Sequence, residues 1–319
     1  MKWRGRRGSA NVEDRRGAPS ARGGFGPGIR IGRGGGGFPG GFPGGGGGGR
    51  RRGGGGVGLL GIVAIVVVAA LLGVNPMELL GPQTGGGFAP GEAPRSAPAQ
   101  LSQAEREAGE FVSVVLADTE EVWDEVFRDE LGRDYAAPVL VLFSGATTSP
   151  CGQASAATGP FYCPLDRKVY LDTDFFVTLR RQLGAGGDFA QACVVAHEVG
   201  HHVQNELGLL EKVQRAKARM TGTEAAAVSV RTELMADCLA GLWTARAEER
   251  FGILEPGDVE EAMNAAARIG DDALQGRAGG RVRPETFTHG TSAQRQRWFA
   301  TAYETGRLSA CDTFAVDRL

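Results

Sequence analysis

The sequence predicts an α+β domain that is mainly helical, with a small β-hairpin or edge sheet, preceded by one transmembrane helix. Three observations carry this. Beyond residue 172 helix-length runs with capping residues dominate; only Pro138 to Phe143 and Phe161 to Asp172 read as strand; and Val57 to Val74 is apolar for 18 residues without a charge.

The 319 residues carry 35 Lys+Arg and 37 Asp+Glu, a net charge of −2. That balance hides two opposite halves. Residues 1–56 hold 24 of the 52 glycines and twelve basic residues against Glu13 and Asp14, for a charge of +10; the remainder carries −12. The glycines follow no three-residue period, which excludes collagen, and the acidic remainder excludes a uniformly basic nucleic-acid binder. Residues 1–56 have too few apolar side chains to offset the entropy of ordering and read as a disordered Arg/Gly-rich cytoplasmic tail.

Val57 to Val74 (VGLLGIVAIVVVAALLGV) is long enough for one bilayer crossing. Arg50, Arg51 and Arg52 precede it and no cation follows closely, so the positive-inside rule predicts a single-pass signal anchor in the cytoplasmic membrane, with the N-terminus cytoplasmic and the remainder extracytoplasmic. Residues 75–101, rich in Gly, Pro, Ala and Ser, read as a flexible linker. The folded domain is expected over 102–319, opening at the capping-box pattern Ser102-Gln103-Ala104-Glu105.

Within that domain helices are expected over residues 173–183, 188–207, 223–251, 256–274 and 292–305, with Gly208 and Gly252 as C-caps. All five cysteines fall here. Cys151 and Cys163 bracket a small Gly/Ala/Ser loop suited to a disulfide in an oxidising compartment; Cys238 and Cys311 could form a second, leaving Cys193 unpaired.

The chemistry concentrates in His197-Glu198-Val199-Gly200-His201, an HExxH pattern that contains or adjoins three of the chain's four histidines. On a helix, residues i and i+4 stack on one face, so both imidazoles can converge on one metal ion, Zn2+. Glu198 is rotated by about 100°, which places its carboxylate beside the metal as a general base for water bound there. A catalytic zinc needs a third protein ligand and one open position. Gln204 and Leu207 stand where a longer histidine motif would need Gly and His, so the third ligand is expected from a second helix. Thr232-Glu233-Leu234-Met235-Ala236-Asp237 offers Glu233 and Asp237 on one face, in an apolar setting where an unpartnered carboxylate would be costly. The reading favours a gluzincin-like ligand set of His197, His201 and Glu233, with Asp237 accepting a hydrogen bond from a ligand imidazole; Asp237 or His289 as the ligand stays open. The small residues Ala236, Ala240 and Gly241 would let this helix pack tightly on the HExxH helix. His289, in a loop before the last helix, could donate to the oxyanion that forms on a scissile carbonyl. His202 is not assigned to the metal, and Cys193 reads as a small buried residue.

These residues resemble the bacterial neutral zinc metallopeptidase family, membrane-anchored proteins of largely unknown substrate. The resemblance runs through RRGSANVEDRRG, CGQASAATGPFYCPLDRKVYLD, AHEVGHHVQNELG, RTELMADCLAGLW and FTHGTSAQRQRWFATAYETG, in that order. It implies a zincin-like helical catalytic domain with His197 and His201 as zinc ligands, Glu198 as catalytic acid/base and Glu233 as third ligand. The function expected is zinc-dependent hydrolysis of peptide bonds in a peptide or protein substrate; the alternative is a non-catalytic envelope protein with a structural zinc site. By analogy with other HExxH peptidases, an edge strand near Val169 to Leu171 would hold an extended substrate. Binding of nucleic acid by the basic tail is disfavoured.

Overall fold

The computed structural model describes residues 1–17, 100–155, 158–279 and 281–319. The transmembrane expectation, Val57 to Val74, and nearly all of the linker lie outside these residues; among the described residues no helix is long and apolar enough to cross a membrane.

The first element corrects the sequence reading. Val12–Asp14 forms strand β1, so Met1–Gly17 is part of the folded body and not of a disordered tail. It is held by specific contacts that composition could not reveal. Trp3 is buried edge-on against Phe111 (5.4 Å between centroids), Arg6 pairs with the buried Asp118 at 2.7 Å, and Ser9 N–H donates to the Ser113 carbonyl. Arg16 lies across Gly109, where a Cβ would collide with its guanidinium.

Helix α1, Gln103–Leu131, opens with the expected capping box: Glu105 N–H donates to Ser102 Oγ, and Ser102 N–H to Glu105 Oε2. Strand β2 (Val139–Phe143) follows, then a hairpin of β3 (Ala146–Ser149) and β4 (Gly152–Ser155), then β5 (Phe161–Cys163) and β6 (Lys168–Asp172). The main sheet has the order β1-β2-β6-β5. β1 and β6 run parallel to β2, and β5 pairs antiparallel with β6. Alternation divides the sheet's faces. Leu140, Leu142, Val169 and Leu171 join the main core, whereas Val141, Phe143 and Tyr170 form a second cluster with Ala154 of the hairpin. The expected edge strand at Val169 to Leu171 is therefore corrected: β6 is paired on both sides, and the sheet's edge on that flank is β5.

The helices that follow are α2 (Asp174–Arg181), α3 (Asp188–Glu206), α4 (Leu209–Lys217), α5 (Gly222–Phe251), α6 (Asp258–Arg268), α7 (Asp271–Arg277) and α8 (Ser292–Thr305). Gly252 caps α5 at positive φ as expected; α3 instead ends on Leu207, and Gly208, also at positive φ, starts the next helix. The chain restarts at once as α4, a helix outside the expected ranges, and the run over 256–274 breaks at Ile269–Gly270 into α6 and α7. Both expected disulfides form: Cys151–Cys163 bridges the hairpin to β5, and Cys238–Cys311 ties α5 to the C-terminal turn.

Helix α5 is the central element, packed against α3 and α8. Gly200 on α3 lets the helices approach closely, since a Cβ there would stand 3.1 Å from the Ala236 carbonyl. Gly241 serves a different neighbour than expected: it admits the Phe299 backbone of α8.

Candidate metal centre

Helix α3 presents His197 and His201 one turn apart, with their rings nearly perpendicular and 4.9 Å between centroids. Across the α3–α5 contact, Glu233 faces both. Its Oε2 stands 3.2 Å from His197 Nε2 and its Oε1 3.6 Å from His201 Nε2. Tetrahedral zinc with bonds of about 2.0–2.1 Å separates its ligand atoms by roughly 3.4 Å, so these spacings match the edges of such a site. His197, His201 and Glu233 are thus brought together as the sequence reading expected, and no fourth side chain joins the group among the described residues.

The other ring nitrogens fix which atoms face the metal position. His197 Nδ1–H donates to Asp237 Oδ1 at 2.9 Å. His201 Nδ1 lies 2.9 Å from Gln204 Oε1, and Gln204 Nε2 donates to the Thr232 carbonyl at 2.6 Å. That second bond orients the amide, so its oxygen must accept from His201 Nδ1–H. Both imidazoles therefore turn Nε2 toward Glu233. Asp237 is not free to be the third ligand, because Arg295 on α8 binds both its oxygens, Nη2 to Oδ1 at 2.7 Å and Nε to Oδ2 at 2.8 Å.

The electrostatics of the three residues favour a cation among them. Burial alone would push His197 below its ordinary range, but Asp237 and Glu233 outweigh it and raise its pKa to about 10. His201 is raised in the same way, against burial, by Glu233. Burial opposes ionisation of Glu233, yet the surrounding histidines hold its carboxyl well below the usual range.

Glu198 sits beside this group and lines the same cavity, 8% exposed. Its Oε2 is buried, and no described residue donates to it. A carboxyl oxygen buried without a partner is costly unless a donor or a cation stands at hand. The orphaned oxygen and the two-imidazole, one-carboxylate donor set together fit zinc with an open corner.

His289 lines the cavity too but is not a member of the three-residue group. Asp271 anchors its loop, accepting from the backbone N–H groups of Thr288, His289 and Gly290 at 2.7, 2.6 and 3.0 Å, and its other oxygen lies 3.3 Å from His289 Nδ1. His202 belongs to the core. It is 1% exposed, its Nε2–H donates to the Ala136 carbonyl at 2.6 Å, and its Nδ1 accepts from the Tyr162 hydroxyl at 3.1 Å. Cys193 is buried, and burial pushes its thiol up, away from reactivity. The sequence reading missed Arg295, Gln204 and Asp271. Gln204, three residues after His201, had a detectable spacing; Arg295 reaches the site only through the packing of α8 on α5, and Asp271 through its bonds to the His289 loop.

The centre opens into a cavity of about 860 Å³. Its walls are largely apolar (Phe161, Phe175, Val194, Leu210, Ile269 and Leu274), and residues of β5 form one side. An HExxH helix packed on a carboxylate-bearing helix beside a cleft of this size brings together a two-imidazole, one-carboxylate donor set that could hold a metal ion.

The chain belongs to the family described as "Putative neutral zinc metallopeptidase", whose profile matches residues 1–314. That span includes Met1–Gly17, in keeping with its place in the fold. Among similar proteins, "Uncharacterized protein YpfJ" of Escherichia coli (strain K12) is 43% identical over 314 residues, 98% of this chain and 99% of the relative. "Uncharacterized protein Rv2575" of Mycobacterium tuberculosis (strain H37Rv) and "Uncharacterized protein Mb2605" of Mycobacterium bovis are each 46% identical over 263 residues, 78% of this chain and 85% of the relative. No solved structure matches.

Proposed function

We propose that the protein hydrolyses peptide bonds in a zinc-dependent reaction, with Glu198 as general base and general acid. The observation that carries this reading is the buried, undonated Glu198 Oε2 beside three converging ligand atoms. A structural zinc site closes its fourth position with protein; here Asp237 is bound by Arg295, and among the described residues the cluster stops at three. That favours catalysis over a structural role.

His197, His201 and Glu233 would hold zinc, which polarises the scissile carbonyl and acidifies an attacking water. Glu198 takes the proton of that water on its carboxylate and delivers it to the leaving amine nitrogen. His289, held by Asp271 at the cavity wall, donates to the oxygen of the scissile carbonyl as charge develops there. Asp237 and Gln204 keep both imidazoles in the ligating tautomer. The edge of β5, with Phe161 and Tyr162 at the cavity, offers backbone groups to an extended peptide.

The location proposed is extracytoplasmic and at the cytoplasmic membrane, supported by two disulfides and the apolar stretch Val57 to Val74. The N-terminus is assigned to the same side as the domain, replacing the cytoplasmic assignment, so Val57 to Val74 is proposed to enter the membrane without the single crossing expected from the sequence. β1 is hydrogen-bonded to β2, and a strand cannot lie across a bilayer from its partner.

Digestion of a peptide library by the full-length, zinc-loaded protein tests the activity. Cleavage that chelator abolishes and zinc restores, and that Glu198→Gln lacks while keeping its metal, is the expected result. A wild-type protein that binds zinc and cleaves nothing in the library contradicts it.

A further inference from the structure

The cavity is lined by four acids and four basic side chains, and their pairing is uneven. Glu233 faces the histidines, Asp237 is held by Arg295, Asp271 binds the His289 loop, and Arg283 pairs with Glu285 at 3.1 Å. Two basic side chains remain; Arg281 is exposed, whereas Lys217 is not. It ends α4, is half-buried, and among the described residues has no carboxylate within 4.0 Å of its ammonium. Its Nζ donates to Ser229 Oγ at 2.6 Å, and Ser229 in turn donates to the Ala225 carbonyl. Ser229 precedes Glu233 by one turn on α5, so the two side chains stand about 5–6 Å apart at Cβ on one helix face. The ammonium is thereby fixed on the cavity wall a short way from the metal position.

A half-buried cation with two unused N–H donors, held by a neutral hydroxyl, is a site prepared for an anion. The remaining wall is apolar, so the fitting ligand combines a carboxylate with a hydrophobic group. We propose that Lys217 is the anion-binding residue of the substrate cleft, receiving a substrate carboxylate roughly one or two residues from the scissile bond. This rests on the peptidase reading and narrows its substrate class. The carboxylate is either the C-terminal group of the peptide or an acidic side chain. Burial lowers the Lys217 pKa from its ordinary value while Glu233 opposes that shift, as expected of an ammonium lacking its own counter-ion.

Binding to the full-length, zinc-loaded protein is measured by calorimetry with three probes: acetohydroxamate, which needs only the metal; 4-phenylbutyrate, with one carboxylate; and benzylsuccinate, with two. Benzylsuccinate is expected to bind tighter than phenylbutyrate. Lys217→Met should weaken benzylsuccinate about tenfold to hundredfold and leave acetohydroxamate unchanged. Lys217→Arg should retain most of the affinity, and the exposed Lys212→Met should retain all of it. Equal benzylsuccinate binding by wild type and Lys217→Met, with acetohydroxamate still bound, overturns the assignment alone. No acetohydroxamate binding by wild type overturns the metal reading and this assignment with it. End-blocked peptides separate the two sources. A Lys217-dependent preference for free acid over C-terminal amide identifies the C-terminus; a Lys217-dependent preference for Asp over Asn in an amidated peptide identifies the side chain; indifference to both overturns the proposal.

Discussion

Arg295 grips Asp237 with two hydrogen bonds of 2.7 and 2.8 Å, in a setting where both side chains are buried. Asp237 in turn holds His197, so the guanidinium on the last long helix positions a metal ligand on α3. Removing Arg295 leaves a buried carboxylate without its counter-charge. Arg295→Met is expected to lose about 3–5 kcal/mol of stability and tenfold to hundredfold in zinc affinity, read by denaturant unfolding and metal competition. Arg295→Lys should recover little of either, because a single ammonium cannot make the paired contact.

Gln204 plays the matching part for His201. Gln204→Leu removes the acceptor at His201 Nδ1 and strands the Thr232 carbonyl. Zinc affinity should fall about tenfold to hundredfold with His197 and Glu233 intact. An unchanged affinity would show that the 2.9 Å contact does not orient the ring.

Zinc binding should release protons at pH 7. With its pKa raised to about 10, His197 is protonated in the metal-free protein, and a protonated imidazole cannot ligate. Calorimetry in buffers of differing ionisation enthalpy is expected to report at least one proton released per zinc, and affinity that rises with pH toward 10. Binding without proton release would contradict the account.

His202 predicts a separate acid sensitivity. Burial lowers its pKa from 6.5 to about 4, so the folded protein resists charging it while the unfolded chain does not. The stability this contributes is fully present above pH 6.5 and is lost as pH falls through about 4, amounting to roughly 3 kcal/mol. His202→Asn should flatten that part of the pH–stability curve, even if it lowers stability at pH 7.

The N-terminal segment makes a prediction about placement. Trp3→Ala should cost about 3–5 kcal/mol although Trp3 lies far from the domain in sequence. Cysteines placed by Arg4→Cys and Leu165→Cys should react with a membrane-impermeant maleimide from the same side of the membrane. Labelling from opposite sides would refute the shared compartment.

The parts of this fold that depend on local sequence were legible. The capping box at Ser102, the turns at Gly208 and Gly252, the two short strand regions and the HExxH helix follow from spacing and residue type alone. Glu233 was legible too, because an apolar helix that carries a carboxylate must explain it. What escaped depends on distant chain segments. β1 has only three residues in an Arg- and Gly-rich stretch, and only its pairing with β2 makes it a strand. The central position of β6 is set by β1 and β2 lying beyond it. Arg295 is one of two arginines on α8, and only the packing of α8 on α5 brings it to Asp237.

Metal analysis of wild type, Glu233→Gln and Glu198→Gln, prepared side by side from one zinc-supplemented buffer, tests the central claim most directly. The account predicts one zinc per chain in wild type and Glu198→Gln, and little or none in Glu233→Gln. Full occupancy in Glu233→Gln at wild-type affinity would contradict it.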